Sequence, residues 1–277
     1  MLKFNMLGAL SVELDGSLLR INLGQPGYLF ACYIVQFKGL HRADHLIELF
    51  WPQLPPEKGR VALNNATWRV RKLLQLDRNV GADKLFRLGD DLVLEQCDQI
   101  RADTHELCWA ANRVMQHEKG SALEADEEVR ITNSVLNYRG PFLEGMEAPW
   151  ILTERAHLHE LCARVQNFLV RLSVSRGDYE SALLQSQRMA TVDPLNERIH
   201  GDLMLLLLRI GRQAEAVRCY ERLEELLRAE LGIRPMPETQ RLVSLIKTGD
   251  VFSQIDDLLA THFRRAASGA PGLTSAA

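Results

Sequence analysis

The sequence predicts an α+β N-terminal winged helix-turn-helix followed by an all-α, TPR-like helical domain. Strand and turn signals fall within about the first hundred residues, where they flank three helical segments. Beyond residue 101 the strand signals vanish, and small and apolar residues recur at an interval of 34. These observations predict a winged-helix domain at 1–98, a helical domain at 101–248, and a C-terminal helix and disordered tail at 249–277.

Short strand-like segments open the chain at Leu2 to Leu7 and at Ser11 to Leu14. The pair Asp15-Gly16 predicts a hairpin turn, because two-residue hairpins need the left-handed backbone that Asp and Gly tolerate. The turn leads into a third strand-like segment, Leu18 to Ile21. A small N-terminal sheet is therefore expected.

Three helices are expected after this sheet. Pro26 precedes the apolar segment Gly27 to Phe37, which Gly39 closes, and a leading Pro with a trailing Gly is typical of a helix. The second helix is predicted from Ala43 to Phe50, and the third covers residues 56–75.

A β-hairpin is predicted after the third helix. Two runs of alternating apolar residues, Lys84 to Leu88 and Leu92 to Glu95, flank the turn Gly89-Asp90-Asp91. A sheet, three helices and a terminal hairpin follow the order of a winged helix-turn-helix. In that module the third helix enters the major groove and the hairpin, or wing, lies near the DNA backbone or the minor groove.

The third helix is amphipathic. Its apolar stripe consists of Leu63, Ala66, Val70, Leu73 and Leu74. The opposite side carries amides, cations and one indole. Asn and Arg fit base edges bidentately, and Lys or Arg neutralise phosphates, so this side predicts a surface that reads a DNA groove. An ordinary solvated helix face is the alternative interpretation.

The candidate DNA contacts fall into three groups. Cations expected near phosphates are Arg60, Arg69, Lys72, Lys84 and Arg87. Side chains expected at base edges are Asn64, Asn65 and Arg71. Trp68 is a further candidate contact, although so bulky a side chain could instead pack on the sheet or on a second subunit.

The second half of the chain repeats at a fixed interval. Gly177 and Gly211 are 34 residues apart, as are Ala182 and Ala216. Leu172 and Leu206 keep the same spacing, and so do Leu169 and Leu203. This is the tetratricopeptide period, in which Gly breaks the chain between two helices and Ala permits their close approach.

Composition excludes several classes of protein. The 277 residues contain no apolar run of the roughly 18 residues that a membrane span needs, and no leader peptide is evident, so a cytoplasmic protein is expected. The five cysteines form no C-x-x-C pair, which argues against a disulfide framework or a zinc site and for small core residues. Residues 1–100 hold 12 Lys and Arg against 11 Asp and Glu, so the positive charge of a DNA-binding module must lie on one face.

Several motifs in one order resemble the antibiotic-regulatory-protein (SARP) type of bacterial transcriptional activator. In the first domain these are Trp51-Pro52 with the Pro-rich loop after it, Ala62-Leu63, and Arg69 to Leu74. Tyr138 to Leu143, Trp150 and Glu154-Arg155 resemble the start of the family's helical activation domain. Gly177-Asp178-Tyr179, Asp193 to Glu197, Gly211-Arg212 and Leu231-Gly232 continue the match, which extends to about residue 246.

The resemblance implies an OmpR-like winged helix that binds tandem repeats in double-stranded DNA, joined to a bacterial transcriptional activation domain. It also implies contact with RNA polymerase holoenzyme through the loop before the third helix, here Gln53, Leu54, Glu57 and Lys58. The chain departs from the family at the wing, where Asp90-Asp91 replaces the usual Gly-Tyr type of tip and places negative charge where phosphate would approach. A homodimer is expected at least on DNA, since a near-neutral domain would bind a single site weakly. No membrane partner, cofactor or metal is expected.

Two other classes of function remain to be weighed. An enzyme is disfavoured because the sequence has no phosphate-binding glycine loop and no nucleophile with a base. His157 and His159 lie two residues apart, so on a helix they cannot share a metal on one face. The stronger rival is an adaptor that does not bind DNA and that uses the winged-helix and TPR-like surfaces for protein or ligand interaction.

Overall fold

This computed structural model describes residues 1–19, 24–74, 85–95 and 100–249, together with 255, 256, 258, 259, 262 and 263. The chain divides into two compact units, Met1–Cys162 and Ala163–Ala277. The predicted disordered tail from residue 268 lies outside the described residues, whereas the described positions between 255 and 263 are helical. No helix in the described ranges is both long and apolar enough to cross a bilayer.

A four-stranded sheet forms one layer of the first unit. Its strands are β1 (Leu2–Asn5), β2 (Ser11–Leu14), β3 (Ser17–Leu18) and β7 (Ile100–Ala102), in the order β3-β2-β1-β7. The predicted hairpin at Asp15-Gly16 is confirmed, because both residues have positive φ angles, 48° and 82°, and β2 pairs antiparallel with β3. Strand β1 pairs parallel with β7, so it is an interior strand.

The winged helix-turn-helix order is confirmed. Its helices are α1 (Gly24–Gln36), α2 (Ala43–Phe50) and α3 (Pro56–Leu74). The wing is formed by β5 (Leu85–Leu88) and β6 (Asp91–Leu94), and β4 (Gly39–His41) pairs with β6 to make a three-stranded sheet in the order β4-β6-β5. The predicted bounds of α2 are those of the structure, and α3 begins at the predicted residue 56, while its predicted end at residue 75 lies outside the described residues.

Helices follow β7 to the end of the described chain. In the first unit they are α4 (Asp103–Glu118) and α5 (Ala125–Leu136). Helix α6 (Pro149–Ser175) contains the boundary between the two units. The second unit continues with α7 (Tyr179–Val192), α8 (Glu197–Arg209), α9 (Gln213–Leu231) and α10 (Pro237–Thr248).

A buried carboxylate connects the first strand to the first of these helices. Asp103 is 3% exposed, and its oxygens accept hydrogen bonds from the backbone N–H groups of Met6, Leu7 and Thr104, all at 2.9 Å. Burial raises the pKa of this carboxyl group, and the backbone hydrogen bonds oppose that rise. The contact fixes the start of α4 against the N-terminal sheet.

The segment between α5 and α6 also pairs with the end of the first strand. Leu143 N–H donates to the Met6 carbonyl at 2.8 Å, and Gly8 N–H donates to the Pro141 carbonyl at 3.2 Å. Further along, the Trp150 ring lies 5.2 Å from the ring of Tyr33 in α1, edge to face. The winged helix and the beginning of the helical region therefore share one core in the first unit.

The second unit repeats its hydrogen bonds at the predicted interval. Gly177 N–H donates to Val174, and Gly211 N–H donates to Leu208, both at 3.0 Å. The two glycines have φ angles of 74° and 79°, and Ala182 and Ala216 are both fully buried. The 34-residue spacing thus marks equivalent positions in two helix–turn–helix units, as predicted.

The cysteines are thiols wherever they are described. Cys32 and Cys162 are buried, and Cys108 and Cys219 are half-buried. Burial raises the pKa of Cys32 to about 12, so its thiol stays protonated. Cys97 lies outside the described residues.

Close packing between α2 and α3 leaves no free space for a side chain at Gly59, because a Cβ there would lie 2.4 Å from Cγ2 of Ile47. Ile47 is β-branched and stiff, so the methyl group cannot move away freely. We expect Gly59→Ala to lower the free energy of unfolding by about 1 to 3 kcal/mol, measured by urea denaturation, even though alanine favours a helix.

A coupling measurement provides the control. Ile47→Ala removes the conflicting methyl group, so its cost should be smaller in the Gly59→Ala background than in the parent chain. Additive losses, or an unchanged stability of Gly59→Ala, would contradict the close-packing explanation.

Candidate nucleic-acid interface

Helix α3 has one buried and one exposed side, as its apolar spacing predicts. Leu63, Ala66, Val70, Leu73 and Leu74 are at most 5% exposed. Five predicted contact residues on the other side are exposed to solvent: Asn64, Asn65, Trp68, Arg69 and Lys72. The helix therefore offers amides, cations and an indole on its outward face.

Trp68 does not pack against the sheet. Its side chain is 57% exposed, and the Lys72 ammonium lies 4.1 Å from the centre of its ring. The two residues are one helical turn apart, so the tryptophan supports the lysine through a cation–π contact. Together they form a cationic and aromatic patch near the C-terminal end of α3.

The two neighbouring asparagines are not equivalent. The Asn64 amide oxygen accepts a hydrogen bond of 2.5 Å from Arg87 Nη2, while Nη1 of the same guanidinium donates to the Asp90 carbonyl at 2.7 Å. Asn65 makes no side-chain hydrogen bond to any residue that the structure describes. Bidentate contact with adenine needs both a donor and an acceptor, so Asn65 is the better placed of the two.

Arg71 supports the wing in addition to any role at DNA. The side chain is half-buried, and its Nε donates to the backbone carbonyl of Leu85 in β5 at 2.6 Å. This bond holds the first wing strand beside the last turn of α3. Two of the three residues predicted at base edges thus have structural contacts within the chain, Arg71 through its guanidinium and Asn64 through its amide oxygen.

Asp90, at the acidic tip of the wing, forms an ion pair with Arg60 of α3. Arg60 Nη1 lies 3.6 Å from a carboxylate oxygen of Asp90, and its Nη2 lies 4.0 Å from one of Asp44 in the first turn of α2. All three side chains are more than half exposed, so these ion pairs are worth little in stability. They do offset the charge of a predicted phosphate contact.

Asp91, the second acidic residue of the tip, has a different role. Its carboxylate accepts a hydrogen bond from the backbone N–H of Ala43 at 3.3 Å. Ala43 is the first residue of α2, where the backbone N–H groups have no partner within the helix. The sequence predicted that the Asp90-Asp91 pair would repel phosphate. It did not predict the partners of these two residues within the chain, because those partners depend on how the wing packs on α2 and α3.

The positive charge of the interface comes from Arg and Lys rather than from histidine. His41, on the strand before α2, is 9% exposed, and burial lowers the pKa of its imidazole. It is therefore neutral near pH 7. Lys84, a predicted phosphate contact, lies outside the described residues.

Of the four residues predicted to contact polymerase from the loop before α3, Gln53 and Leu54 lie in that loop, whereas Glu57 and Lys58 lie in the first turn of α3 itself. Gln53, Glu57 and Lys58 are exposed, and Leu54 is half-buried, with its N–H bonded to the Trp51 carbonyl at 3.0 Å. Glu57 and Lys58 are therefore about three helical turns away from the Trp68 and Lys72 patch.

Residues 103–247 match the family model described as "Bacterial transcriptional activator domain". The match begins at the first residue of α4 and ends within α10. It covers more than half of the chain.

Curated relatives cover most of the chain. It is 28% identical over 252 residues to the regulatory protein AfsR of Streptomyces coelicolor, covering 90% of this chain but 24% of AfsR. The regulatory protein DnrI of Streptomyces peucetius is 22% identical, with 90% of this chain and 93% of DnrI covered. The transcriptional regulatory protein MoaR1 of Mycobacterium tuberculosis is 25% identical, with 87% and 77% covered.

The fold also matches a solved structure, Mycobacterium tuberculosis EmbR in complex with a low-affinity phosphopeptide. The TM-score is 0.64 at 19% sequence identity, and the match covers 96% of this chain and 70% of the EmbR chain. An N-terminal region with small sheets followed by helices is therefore an architecture shared with a known protein. The domain match over 103–247 shows that the chain belongs to the bacterial transcriptional activator domain family, and its sequence is similar to the regulatory proteins AfsR and DnrI.

Proposed function

We propose that this chain is a sequence-specific DNA-binding transcriptional activator that binds tandem direct repeats and contacts RNA polymerase. The observation that carries the proposal is the orientation of α3, whose apolar stripe is buried and whose amides and cations face solvent. Nothing in the first unit covers Asn65 or Trp68 among the described residues. A helix of this kind fits the major groove, where base edges carry a distinct pattern of donors and acceptors.

Within this proposal the exposed residues take different roles. Asn65 is assigned to a base edge, and Arg69 and Lys72 to phosphates on either side of the groove. Arg87 and Arg71 hold the wing against α3, so they position the interface as well as adding charge. Arg60 reaches phosphate only if it exchanges its ion pair with Asp90.

Two copies of the chain on adjacent half-sites are part of the proposal. Residues 1–100 have nearly balanced charge, and Arg60 is partly neutralised, so the affinity of a single copy for DNA should be low. A second copy bound next to it raises the overall affinity without any new contact. Direct repeats spaced by about one turn of the duplex, roughly 10 base pairs, place both α3 helices on the same side.

The adaptor remains the second candidate, because one observation favours it. Asp90 occupies the wing tip and pairs with Arg60, which is the arrangement of a surface that has lost its phosphate contact. An adaptor would keep the winged-helix fold for protein interaction. The two candidates differ in how binding to duplex DNA responds to salt.

A salt titration distinguishes regulator from adaptor. We expect the purified chain to bind duplex DNA selected from genomic fragments, with an affinity that falls steeply as salt rises, measured by fluorescence anisotropy. Arg69→Ala with Lys72→Ala should reduce the slope of log K against log salt by about 2, since each phosphate contact contributes roughly 0.9. Footprints of the selected fragments should show direct repeats.

The matched control for this titration is Arg188→Ala with Lys247→Ala, which removes two exposed cations from the second unit. Its slope should equal that of the parent chain. An adaptor would show no affinity for duplex even at low salt, and inverted half-sites would contradict the tandem arrangement.

The wing tip provides a second test. Asp90→Asn removes a negative charge and releases Arg60, so we expect DNA affinity at low salt to rise by about two- to fivefold, in keeping with the small energy of an exposed ion pair. Asp126→Asn removes the same charge from the exposed start of α5 and serves as the control. An equal gain in both variants would assign the effect to net charge, and no gain in either would show that the Asp90 and Arg60 pair does not oppose binding.

Polymerase contact is tested at the loop before α3. Gln53→Ala with Glu57→Gln leaves every cation in place, so DNA affinity should not fall, while activated transcription by purified holoenzyme should fall severalfold. Glu238→Gln is the matched control, because Glu238 follows a proline in the first turn of α10 just as Glu57 does in α3. Full activation by the loop variant would exclude this loop as the contact.

A further inference from the structure

A groove of about 440 Å³ lies between α7, α8 and α9 in the second unit. Leu203 and Leu207 of α8 form its floor, each 6% exposed, and Ala190 and Leu226 extend the apolar lining onto α7 and α9. This volume falls in the range that holds a small organic molecule rather than a single ion. An apolar body is the part of a ligand that such a floor would accommodate.

Two arginines line one side of this groove. Arg218 and Arg222 of α9 are one helical turn apart, on the same face of the helix, and both are exposed. Neither guanidinium has a carboxylate within ion-pair distance among the residues that the structure describes. Three other arginines of this unit do have such a carboxylate, and two of these pairs are Arg209 with Asp256 at 2.7 Å and Arg228 with Glu224 at 3.5 Å.

The one carboxylate among the lining residues is already engaged. Glu215 accepts two hydrogen bonds of 2.6 Å from the Arg212 guanidinium, through Nε and Nη2. Arg212 is therefore the main partner of this carboxylate, and the nearby charge of Arg218 acts on it more weakly. The net charge that the groove presents is therefore positive and comes from Arg218 and Arg222.

A buried histidine forms a neutral wall of the groove. His200 is 4% exposed, and burial lowers the pKa of its imidazole, so the ring is uncharged near pH 7. Its Nε2 lies 3.0 Å from the Pro194 carbonyl and donates to it, which leaves Nδ1 to accept from the Cys219 thiol at 3.4 Å. Burial raises the pKa of that thiol to about 11, which keeps it protonated as the donor. Both ring nitrogens are thus occupied, and His200 contributes shape rather than charge.

We propose that this groove is a binding site for a small organic acid, with its apolar body on Leu203 and Leu207 and its carboxylate between Arg218 and Arg222. Charge complementarity selects this occupant, since two guanidinium groups without an ion pair to any described carboxylate stand beside an apolar floor, and Glu215, the one carboxylate among the described lining residues, is bonded to Arg212. Guanidinium is the side-chain group that matches a carboxylate bidentately. The size of the groove favours a molecule over an extended peptide.

The probe for this site is 2-naphthoate, with 2-naphthamide as its neutral counterpart, titrated into the full chain by isothermal titration calorimetry. We expect the acid to bind about tenfold or more tightly than the amide, the ratio typical of hydrogen bonds to a charged group. In Arg218→Gln with Arg222→Gln the acid should lose this advantage and bind only as well as the amide. Both arginines are exposed, so this variant should melt at the temperature of the parent chain.

The matched control is Arg188→Gln with Arg241→Gln, which removes the same charge from exposed positions of α7 and α10 outside the groove. It should keep the preference for the acid. Equal binding of acid and amide by the parent chain, or an unchanged preference in the Arg218 and Arg222 variant, would overturn the proposal. Binding of hexaglutamate that depends on the two arginines, without binding of naphthoate, would overturn it in favour of an acidic peptide. The titrations contain no DNA, so they stand or fall independently of the proposed DNA-binding function.

Discussion

Burial of the apolar stripe of α3 is the constraint on which the candidate interface depends. Leu63 and Val70 are almost completely buried, and Gly59 permits a close contact with Ile47 of α2 that a Cβ atom at this position would obstruct. A rotation of the helix that exposed any of these residues would cost burial free energy of about 1.5 to 3 kcal/mol for each large side chain. The rotational setting of α3 is therefore fixed by hydrophobic packing, and the polar side chains point outward as a consequence of it.

Ion pairs and hydrogen bonds within the chain then limit how strongly this face of α3 can bind DNA. The wing brings Asp90 to Arg60, and Arg87 to Asn64, so part of the hydrogen-bonding and charge capacity of α3 is already used within the chain. A face with few uncommitted cations gains specificity more easily than affinity, because phosphates supply most of the binding energy and base edges supply discrimination. This balance is the physical reason that the proposed mode of binding involves two adjacent copies.

The sequence allowed the main elements to be predicted because their signals are local. Helix α2 was predicted with its observed bounds, and the interval of 34 residues reappears as identical hydrogen bonds around Gly177 and Gly211. Strands β4 and β7 were missed, since each has three residues and owes its conformation to a partner strand distant in the chain. The outward face of α3 followed from periodicity, whereas the ion pair between Asp90 and Arg60 depends on the angle between the wing and the helix. No sequence spacing encodes that angle.

The family match begins at Asp103, whereas the first compact unit continues to Cys162, so the two boundaries do not coincide. Three buried backbone N–H groups, those of Met6, Leu7 and Thr104, have the Asp103 carboxylate as acceptor, and an unsatisfied buried donor costs about 1 to 3 kcal/mol. Pairing of residues 139–143 with the end of β1 adds further bonds of the same kind. A winged helix separated from these partners would lose the contact between the Tyr33 and Trp150 rings, and β1 would lose its pairing with β7. The start of the activator domain is therefore structurally part of the module that presents α3.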